Sequence, residues 1–348
     1  MILHVVGARP QFIKLAPVLQ AFREEGLASQ VLHTGQHYDF ELSELLFRNL
    51  GLPEPEYNLG IGSGTHAQQT GKMLAAIEEV LNRTSPALLL VYGDTNSTLA
   101  GALAACKLGI PVGHVEAGLR SFDRRMPEEI NRIVADHLSI YHFCPTTKAV
   151  ELLKAEGIEG ILTGDVMVDA LQAFSGMMNT CPCQPPFVLA TIHRAENTDS
   201  SSRFQAIWEG FKAIAREIPV YFPIHPRTRT RYREIIEEDS HPVTVAPPAG
   251  YPDMLALIKG AEAVITDSGG VQKEAFLLGT PCLTVRDTTE WPETIEAGWN
   301  RLVEANSEAI SSACRDIRTT ARPQTLSHPF GDGAAAYKIA RFIKDVCG

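Results

Sequence analysis

Three acidic residues stand where polar stretches follow apolar runs, in positions suited to proton transfer. Asp94 and Glu116 each come shortly after an apolar run, and Glu128 follows Pro127 at the start of an amphipathic segment. The dipole of a helix favours an ionised glutamate in its first turn. Carboxylates that converge on one ligand can divide acid and base roles, because neighbouring charges drive their pKa values apart. Asp94, Glu116 and Glu128 are therefore candidate catalytic residues.

Two of these acids, Asp94 and Glu128, also have a plainer interpretation. Asp94 could cap the helix that follows it. Glu128 and Arg132 are four residues apart and share a helix face, where an ion pair is worth about 0.2–0.5 kcal/mol. A glutamate at the end of a buried strand, as Glu116 is expected to be, still needs a partner or a function. Arg132 is therefore a candidate cation in support of the acids.

A glycine turn after the first apolar run predicts an anion site. Gly7 lets the backbone turn tightly, and Arg9 and Lys14 follow in a segment whose Pro10 suits the first turn of a helix. Free N–H groups at a helix start attract anions, and the two cations add to this attraction. The alternative is an ordinary turn between a strand and a helix, with both cations solvated.

A second turn, Ser268-Gly269-Gly270, lies between an apolar run and a helical pattern and predicts a phosphate cradle. Glu274 lies about one turn into that helix, where it can accept hydrogen bonds from a ribose. His193 ends another predicted strand and is suited to meet a pyrophosphate. The plainer interpretation of Ser268 is a helix cap, but a cap alone would not require two glycines.

Motif content and composition limit the cofactors and partners that the chain is expected to bind. The Gly7 turn lacks two of the three glycines of the dinucleotide fingerprint, which disfavours NAD. The seven cysteines are scattered, so no metal site is predicted, and a reduced cytoplasmic protein is the simplest interpretation. A net charge of −10 without a basic stripe argues against nucleic acid, and no apolar run reaches the roughly 20 residues that span a membrane. We expect no cofactor, no nucleic-acid partner and no membrane partner.

Apolar runs alternate with amphipathic segments along the chain, which is typical of βαβ units and parallel sheets. A chain of 348 residues is longer than a domain with one hydrophobic core usually is. The proline-rich stretch 179–186 predicts a linker between two domains. We therefore expect an α/β protein with two doubly wound, Rossmann-like domains that face a cleft. Residues 1–178 would carry the acids and residues 186–333 the phosphate turn, with ligands beyond the carboxyl ends of the strands.

The chain resembles the non-hydrolysing UDP-N-acetylglucosamine 2-epimerases, and within them the archaeal branch. The motifs that carry the resemblance occur in order from residue 7 to residue 333: GARPQFIK, YGDTNST, HVEAGLRSFDRRMPEEINR, TIHRAEN, TDSGGVQKEA, RDTTE and PFGDG. Several are long and specific. The resemblance implies a glycosyltransferase-B type fold in which the final helix, 334–346, packs on the N-terminal domain. It also implies a homodimer.

The resemblance assigns a UDP-sugar as the ligand and a role to each candidate residue. The reaction it implies is inversion at C2 through elimination of UDP to a 2-acetamidoglucal and re-addition. His193 serves both binding and catalysis in this assignment. The matched residues are the phosphate contacts Ser268, Gly269, Gly270 and His193, the ribose contact Glu274, the cations Arg9, Lys14 and Arg132, and the carboxylates Asp94, Glu116 and Glu128.

Three positions depart from the family pattern. Trp291 stands where an arginine is usual, and Met254 stands where a phenylalanine usually meets the uracil. One hypothesis is that Trp291 supplies the stacking surface that Met254 lacks. Gln11 replaces a common glutamate, as in enzymes that act on UDP-diacetamido-uronates.

Three other activities remain open from the sequence. The nearest is 2-epimerisation of UDP-2,3-diacetamido-2,3-dideoxy-glucuronate, which needs an additional cation near C6. The second is a hydrolysing relative that releases free N-acetylmannosamine. The third is a metal-free UDP-sugar glycosyltransferase, which would need a groove for an acceptor. A binding protein without activity would have no need of three carboxylates.

Overall fold

A computed structural model describes residues 1–36, 51–176, 178, 180–224, 226–238, 243–320 and 328–347. The chain divides into two compact units. The first unit comprises Met1–Ser175 and His328–Gly348, and the second comprises Gly176–Ser327. Each unit contains one parallel sheet with helices packed on it.

The first unit is built on a sheet of seven strands in the order β3-β2-β1-β4-β5-β6-β7. Its strands are β1 (Ile2–Val6), β2 (Ser29–His33), β3 (Tyr57–Asn58), β4 (Leu88–Tyr92), β5 (Val112–Val115), β6 (Tyr141–Cys144) and β7 (Ile161–Leu162). Its helices are α1 (Arg9–Glu24), α2 (His66–Thr84), α3 (Asn96–Lys107), α4 (Pro127–Leu138), α5 (Thr147–Ala155), α6 (Val166–Ser175) and, from the C-terminal segment, α15 (Ala335–Cys347).

The second unit is built on a sheet of six strands in the order β10-β9-β8-β11-β12-β13. Its strands are β8 (Val188–Thr191), β9 (Val220–Pro223), β10 (Val243–Ala246), β11 (Ala263–Thr266), β12 (Cys282–Thr284) and β13 (Asn300–Leu302). Its helices are α7 (Ala195–Thr198), α8 (Ser201–Ala215), α9 (Pro226–Arg231), α10 (Arg233–Glu238), α11 (Tyr251–Gly260), α12 (Gly269–Leu277), α13 (Pro292–Glu296) and α14 (Ser307–Thr319).

The central strands are mostly apolar because helices cover both faces of each sheet. All five residues of β1 and all five of β4 are buried. Their side chains and those of α2 and α3 form one core in the first unit, and β8 with α8 and α14 forms another in the second. The short strands β3, β7 and β13 lie at sheet edges.

In each sheet the order in which the strands are added reverses at one point. In the first unit the chain runs outward from β1 to β3 and then returns to β4 beside β1. In the second it runs from β8 to β10 and returns to β11 beside β8. Ligands of such sheets bind in the crevice that opens where the strand order reverses.

The C-terminal helix α15 packs on α1 and α6 of the first unit. The carboxylate of Asp169, in α6, accepts hydrogen bonds from the backbone N–H groups of Ala335 and Ala336 at 3.2 and 2.9 Å. These bonds satisfy two of the unpaired amides at the start of α15. Across the described ranges, every helix is too short or too polar to cross a bilayer.

Candidate functional site

A buried ion pair joins helix α1 to the end of β5. Lys14 Nζ lies 2.5 Å from Glu116 Oε1, and both side chains are almost inaccessible to solvent. Glu116 has a φ of 71°, a left-handed conformation that costs a residue with a side chain on the order of 1–3 kcal/mol. Gly93 leaves space for the pair, since a Cβ there would lie 3.3 Å from Lys14 Nζ and 3.4 Å from Glu116 Oε1.

A second ion pair lies at the end of the neighbouring strand β4. Asp94 binds Arg132 of α4 through its Oδ2, and about a third of the Asp94 side chain is exposed, whereas Arg132 is buried. Arg132 also binds Glu129 Oε2 through Nη1 at 3.0 Å. The first unit therefore places the Lys14–Glu116 and Arg132–Asp94 pairs at the ends of the adjacent strands β5 and β4.

Glu128 and Arg9 occupy the first turns of two helices. Glu128 is half-buried in the first turn of α4, and Arg9 is half-buried as the first residue of α1. The helix that Asp94 was considered to cap, α3, is capped by Thr95, whose side chain accepts from the N–H of Thr98.

Glu129 is a buried acid that sequence reasoning missed. Its carboxylate accepts hydrogen bonds from Ser121 N at 2.9 Å, Ser121 Oγ at 2.9 Å and Phe122 N at 2.8 Å, in addition to Arg132. Glu129 and Arg132 are three residues apart, a spacing that also puts two side chains on one helix face. The spacing of three residues between Glu129 and Arg132 is the sequence signal for this pair, and the spacing of four between Glu128 and Arg132 competes with it.

A buried polar network supports the turn that contains Gly93 and Asp94. His114 Nε2 lies 2.7 Å from the carbonyl oxygen of Gly93, and His114 Nδ1 lies 2.7 Å from Asp136 Oδ1. Asp136 also binds Arg120 Nη1 at 2.6 Å. Burial acts to raise the pKa of Asp136, but the charges and hydrogen bonds of His114 and Arg120 hold it below its ordinary value. The network thus keeps an ionised carboxylate beneath the site.

Gln11 occupies the two backbone amides that directly precede helix α1. The side-chain oxygen of Gln11 accepts from Gly7 N at 2.7 Å and from Ala8 N at 3.0 Å. Its side-chain nitrogen donates to the carbonyl oxygen of Tyr92 at 2.8 Å. Gln11 therefore ties the β1 turn to the end of β4, and the amides of Gly7 and Ala8 are not available to an anion.

In the second unit, Asp267 organises the loop that carries His193. This fully buried carboxylate accepts from the backbone N–H groups of His193 at 3.1 Å and Arg194 at 3.0 Å. His193 Nδ1 lies 3.5 Å from Asp267 Oδ1, and half of the imidazole side chain is exposed. His193 thus turns Nδ1 toward the protein.

The two glycines of the Ser268 turn differ in the space that a side chain would find at each position. Ser268 caps α12 by accepting from Val271 N at 3.4 Å, as its plainer interpretation predicted. A Cβ at Gly269 would lie 2.1 Å from Glu290 Oε1, so a side chain at this position would displace the buried Glu290 carboxylate. A Cβ at Gly270 would meet only Ser268 Oγ, at 3.8 Å. Space beside Gly270 is what close approach of a phosphate requires.

The hypothesis that Trp291 offers a stacking surface does not hold in this structure. Trp291 is 3% exposed, and Lys273 Nζ lies 4.0 Å from the centre of its ring. Lys273 is itself buried, as is Glu274 one residue on. Met254, in α11, packs against a core that includes Phe187. A cation over the ring stabilises Trp291 within the unit and leaves that face unavailable to a base.

Comparison with known proteins identifies relatives along nearly the whole chain. Residues 20–344 match the family described as UDP-N-acetylglucosamine 2-epimerase. The crystal structure of Methanocaldococcus jannaschii UDP-GlcNAc 2-epimerase in complex with UDP-GlcNAc and UDP is 42% identical, with 99% of this chain and 100% of that chain covered and a TM-score of 0.91. The UDP-2,3-diacetamido-2,3-dideoxy-D-glucuronate 2-epimerase of Pseudomonas aeruginosa is 47% identical, with 98% and 99% of the two chains covered.

A more distant structure bears on the fold alone. A spinosyn rhamnosyltransferase complexed with spinosyn aglycone has a TM-score of 0.55 at 14% identity, with 99% of this chain and 96% of that chain covered. Together with the closer structure, it confirms the predicted fold class, two Rossmann-like domains of the glycosyltransferase-B type.

Proposed function

Because the chain belongs to the UDP-N-acetylglucosamine 2-epimerase family, we propose that it inverts C2 of UDP-N-acetylglucosamine to give UDP-N-acetylmannosamine. Membership makes the chain an isomerase and confirms the resemblance that its motifs indicated, including that to the archaeal enzymes. The observation that carries the proposal is the two unlike ion pairs at neighbouring strand ends, Lys14 with Glu116 and Arg132 with Asp94.

The chemistry requires acids at the sugar and cations at the pyrophosphate. The C2 proton of an acetamido sugar is not acidic, because no carbonyl is attached to C2. When the C1–O bond breaks and its electron pair leaves with UDP, positive charge at C1 acidifies that proton. A carboxylate then takes the proton, and a C1=C2 double bond forms. A proton returns to the opposite face of C2, and the UDP oxygen adds back to C1.

The unlike partners of the carboxylates support a division of roles between the two faces of the sugar. The guanidinium of Arg132 stays charged and can hold Asp94 through a planar array of donors. The ammonium of Lys14 is a compact charge with rotatable donors, so it can hold Glu116 and also turn toward a phosphate. We assign proton exchange at C2 to Asp94, Glu116 and Glu128, with Arg132 as the orienting cation.

The departed UDP has to remain bound, and the second unit supplies groups for this task. We assign the pyrophosphate to His193, to the hydroxyl of Ser268 and to the amides of Gly269 and Gly270, and the ribose to Glu274. The amide of Ser268 itself donates to Thr266 Oγ1 at 3.0 Å. Arg9 and Lys14 add positive charge where the leaving group develops negative charge. Fixed donors and cations of this kind are commonly the largest contribution to lowering such a barrier.

Incubation with UDP-N-acetylglucosamine in D2O, followed by NMR, tests the proposal. Epimerisation through loss of the C2 proton incorporates deuterium at C2 of both UDP-sugars. Glu116→Gln is expected to lose this exchange, whereas Glu79→Gln, an exposed position in α2, is expected to keep it. Free N-acetylmannosamine would identify a hydrolase, and a sugar transferred without deuterium would identify a glycosyltransferase. Either result would contradict the proposal.

The identity to the Pseudomonas aeruginosa enzyme supports a second candidate substrate, UDP-2,3-diacetamido-2,3-dideoxy-D-glucuronate. Both substrates carry an acetamido group at C2, so the same acids can serve either. The values of kcat/KM for the two substrates, measured with one preparation, decide between them. A ratio that favours the uronate by more than about tenfold, or about 1.4 kcal/mol in transition-state binding, assigns the chain to that substrate.

A further inference from the structure

The turn at Ser121-Phe122 presents an aromatic ring to solvent on a strained backbone. Phe122 is 76% exposed and has a φ of 59°. A bulky residue rarely adopts a positive φ, and such strain persists only where surrounding contacts hold it. Glycine would fit the same backbone without strain. The presence of a ring here, exposed and unfavourable for the backbone, points to a function for the ring.

The contacts that hold this turn lead directly to the carboxylates of the site. Glu129 is buried and accepts hydrogen bonds from both backbone amides of the turn, at 2.9 Å from Ser121 N and 2.8 Å from Phe122 N. The same carboxylate binds Arg132 at 3.0 Å, and Arg132 binds Asp94. The position of Phe122 is therefore coupled to that of Asp94 through one buried acid and one buried cation.

We propose that Phe122 is a specificity-determining residue whose ring packs on the methyl group of the substrate's 2-acetamido substituent. The inference rests on the proposed function, in which Asp94 exchanges a proton at C2. The acetamido group is attached to that same carbon. The backbone that carries the Phe122 ring is hydrogen-bonded to Glu129, which holds Arg132 and through it Asp94. The exposed ring therefore serves this end of the sugar. The methyl is the apolar part of that end, and contact with an aromatic ring removes it from water.

The test compares Phe122→Gly with the wild type by binding and by kinetics. The variant should keep or raise Tm, because glycine relieves the backbone strain. In saturation-transfer NMR with UDP-N-acetylglucosamine, the acetamido methyl signal should fall at least about threefold relative to the uracil signals. KM should rise about three- to tenfold, as expected for the loss of one apolar contact. Phe122→Leu, which keeps an apolar group, should give intermediate values.

Ser85→Gly is the matched control for relief of strain. Ser85 also has a positive φ, 42°, but it follows the last turn of α2. Its replacement should affect stability as Phe122→Gly does, while KM and the methyl signal stay at wild-type values. If Ser85→Gly alters them equally, relief of strain rather than loss of the ring explains the effect, and the proposal is wrong.

Other outcomes overturn the proposal directly. These are a wild-type methyl signal and KM in Phe122→Gly, a lower Tm in both Phe122 variants, or no methyl signal in the wild type. A changed sedimentation coefficient with an unchanged methyl signal would assign the ring to contact with another chain. Failure of the wild type to incorporate deuterium at C2 would refute epimerisation of this substrate instead. The methyl signal measures binding alone, so the two failures are distinguishable.

Discussion

Lys14 Nζ lies 2.5 Å from Glu116 Oε1, and this ion pair joins α1 to the end of β5 across 102 residues of sequence. The pair is buried, so neither charge can recover its hydration if the other is removed. Its attraction offsets a desolvation cost of several kcal/mol per ion. The pair therefore links the stability of the first unit to the arrangement of its site.

Lys14→Met should lower the free energy of unfolding by about 3–5 kcal/mol, because it leaves Glu116 buried without its cation. Urea denaturation followed by far-UV circular dichroism measures the loss. The double variant Lys14→Met/Glu116→Gln should recover part of it, since the uncompensated charge is then gone. A single-variant loss no larger than that of the double variant would show that the pair does not stabilise the unit.

Gly93→Ala should impair catalysis beyond its effect on the backbone. Gly93 has a φ of 60°, and a Cβ there would lie tightly against Lys14 Nζ at 3.3 Å and contact Glu116 Oε1 at 3.4 Å. Gly109 has a φ of 70°, with no atom within 4 Å of the corresponding Cβ. Both alanine variants should lose about 1–2 kcal/mol of stability from the left-handed backbone. Only Gly93→Ala should also lower kcat, by about 10²-fold if the acids are misplaced. Equal kcat values for the two variants would count against the site.

The pKa of His4 predicts a loss of stability on acidification. Burial lowers it from 6.5 to about 3, and His4 Nδ1 lies 2.7 Å from the hydroxyl of Tyr92. Between pH 6.5 and about pH 3, His4 therefore becomes protonated in the unfolded chain while it stays neutral in the folded chain. Stability should fall as the pH drops from 6.5 towards 3, by up to about 1.4 kcal/mol per pH unit. In His4→Leu this contribution should be absent.

Urea denaturation of the wild type and His4→Leu at several pH values between 7 and 4 isolates this contribution. The difference between the two proteins should shift in favour of the variant as the pH falls. His137→Gln, at an exposed position in α4, serves as the control and should follow the wild type. Parallel curves for wild type and His4→Leu would show that His4 is not held neutral.

The strands that the sequence predicts well are those with the strongest reason to be apolar. The runs Val112–Val115, Tyr141–Cys144 and Ala263–Thr266 each predict a strand, and β5, β6 and β11 have these bounds. Such runs are mostly apolar because both faces of a central parallel strand are buried. The strands β3, β7 and β13 escaped prediction. They are two or three residues long and lie at sheet edges. An edge strand has a neighbouring strand on one side only, so its side chains need not form an apolar run. The same reasoning predicts the positions of the polar loops that follow the central strands.

The partners of the site residues were less predictable than their positions. Periodicity puts Glu128 and Glu129 in the first turn of α4, but the rotation of α4 on the sheet decides which of them is buried. The same holds for Gln11, whose role depends on the distance between two strand ends. Trp291 lies over Lys273, a contact set by the packing of α12 on the following loop. Such contacts depend on tertiary geometry, which one sequence does not contain.

The two glycines of the Ser268 turn should respond in opposite ways to alanine. In Gly269→Ala the new methyl group would collide with Glu290, so stability should fall by about 1–3 kcal/mol. In Gly270→Ala the methyl group has space, and stability should hold or rise by up to about 1 kcal/mol, because alanine favours a helix over glycine. UDP should nevertheless bind Gly270→Ala about tenfold more weakly if its phosphates approach this backbone. Isothermal titration calorimetry gives the affinity and thermal unfolding gives the stability. Wild-type affinity for UDP in Gly270→Ala would mean that the phosphates bind elsewhere.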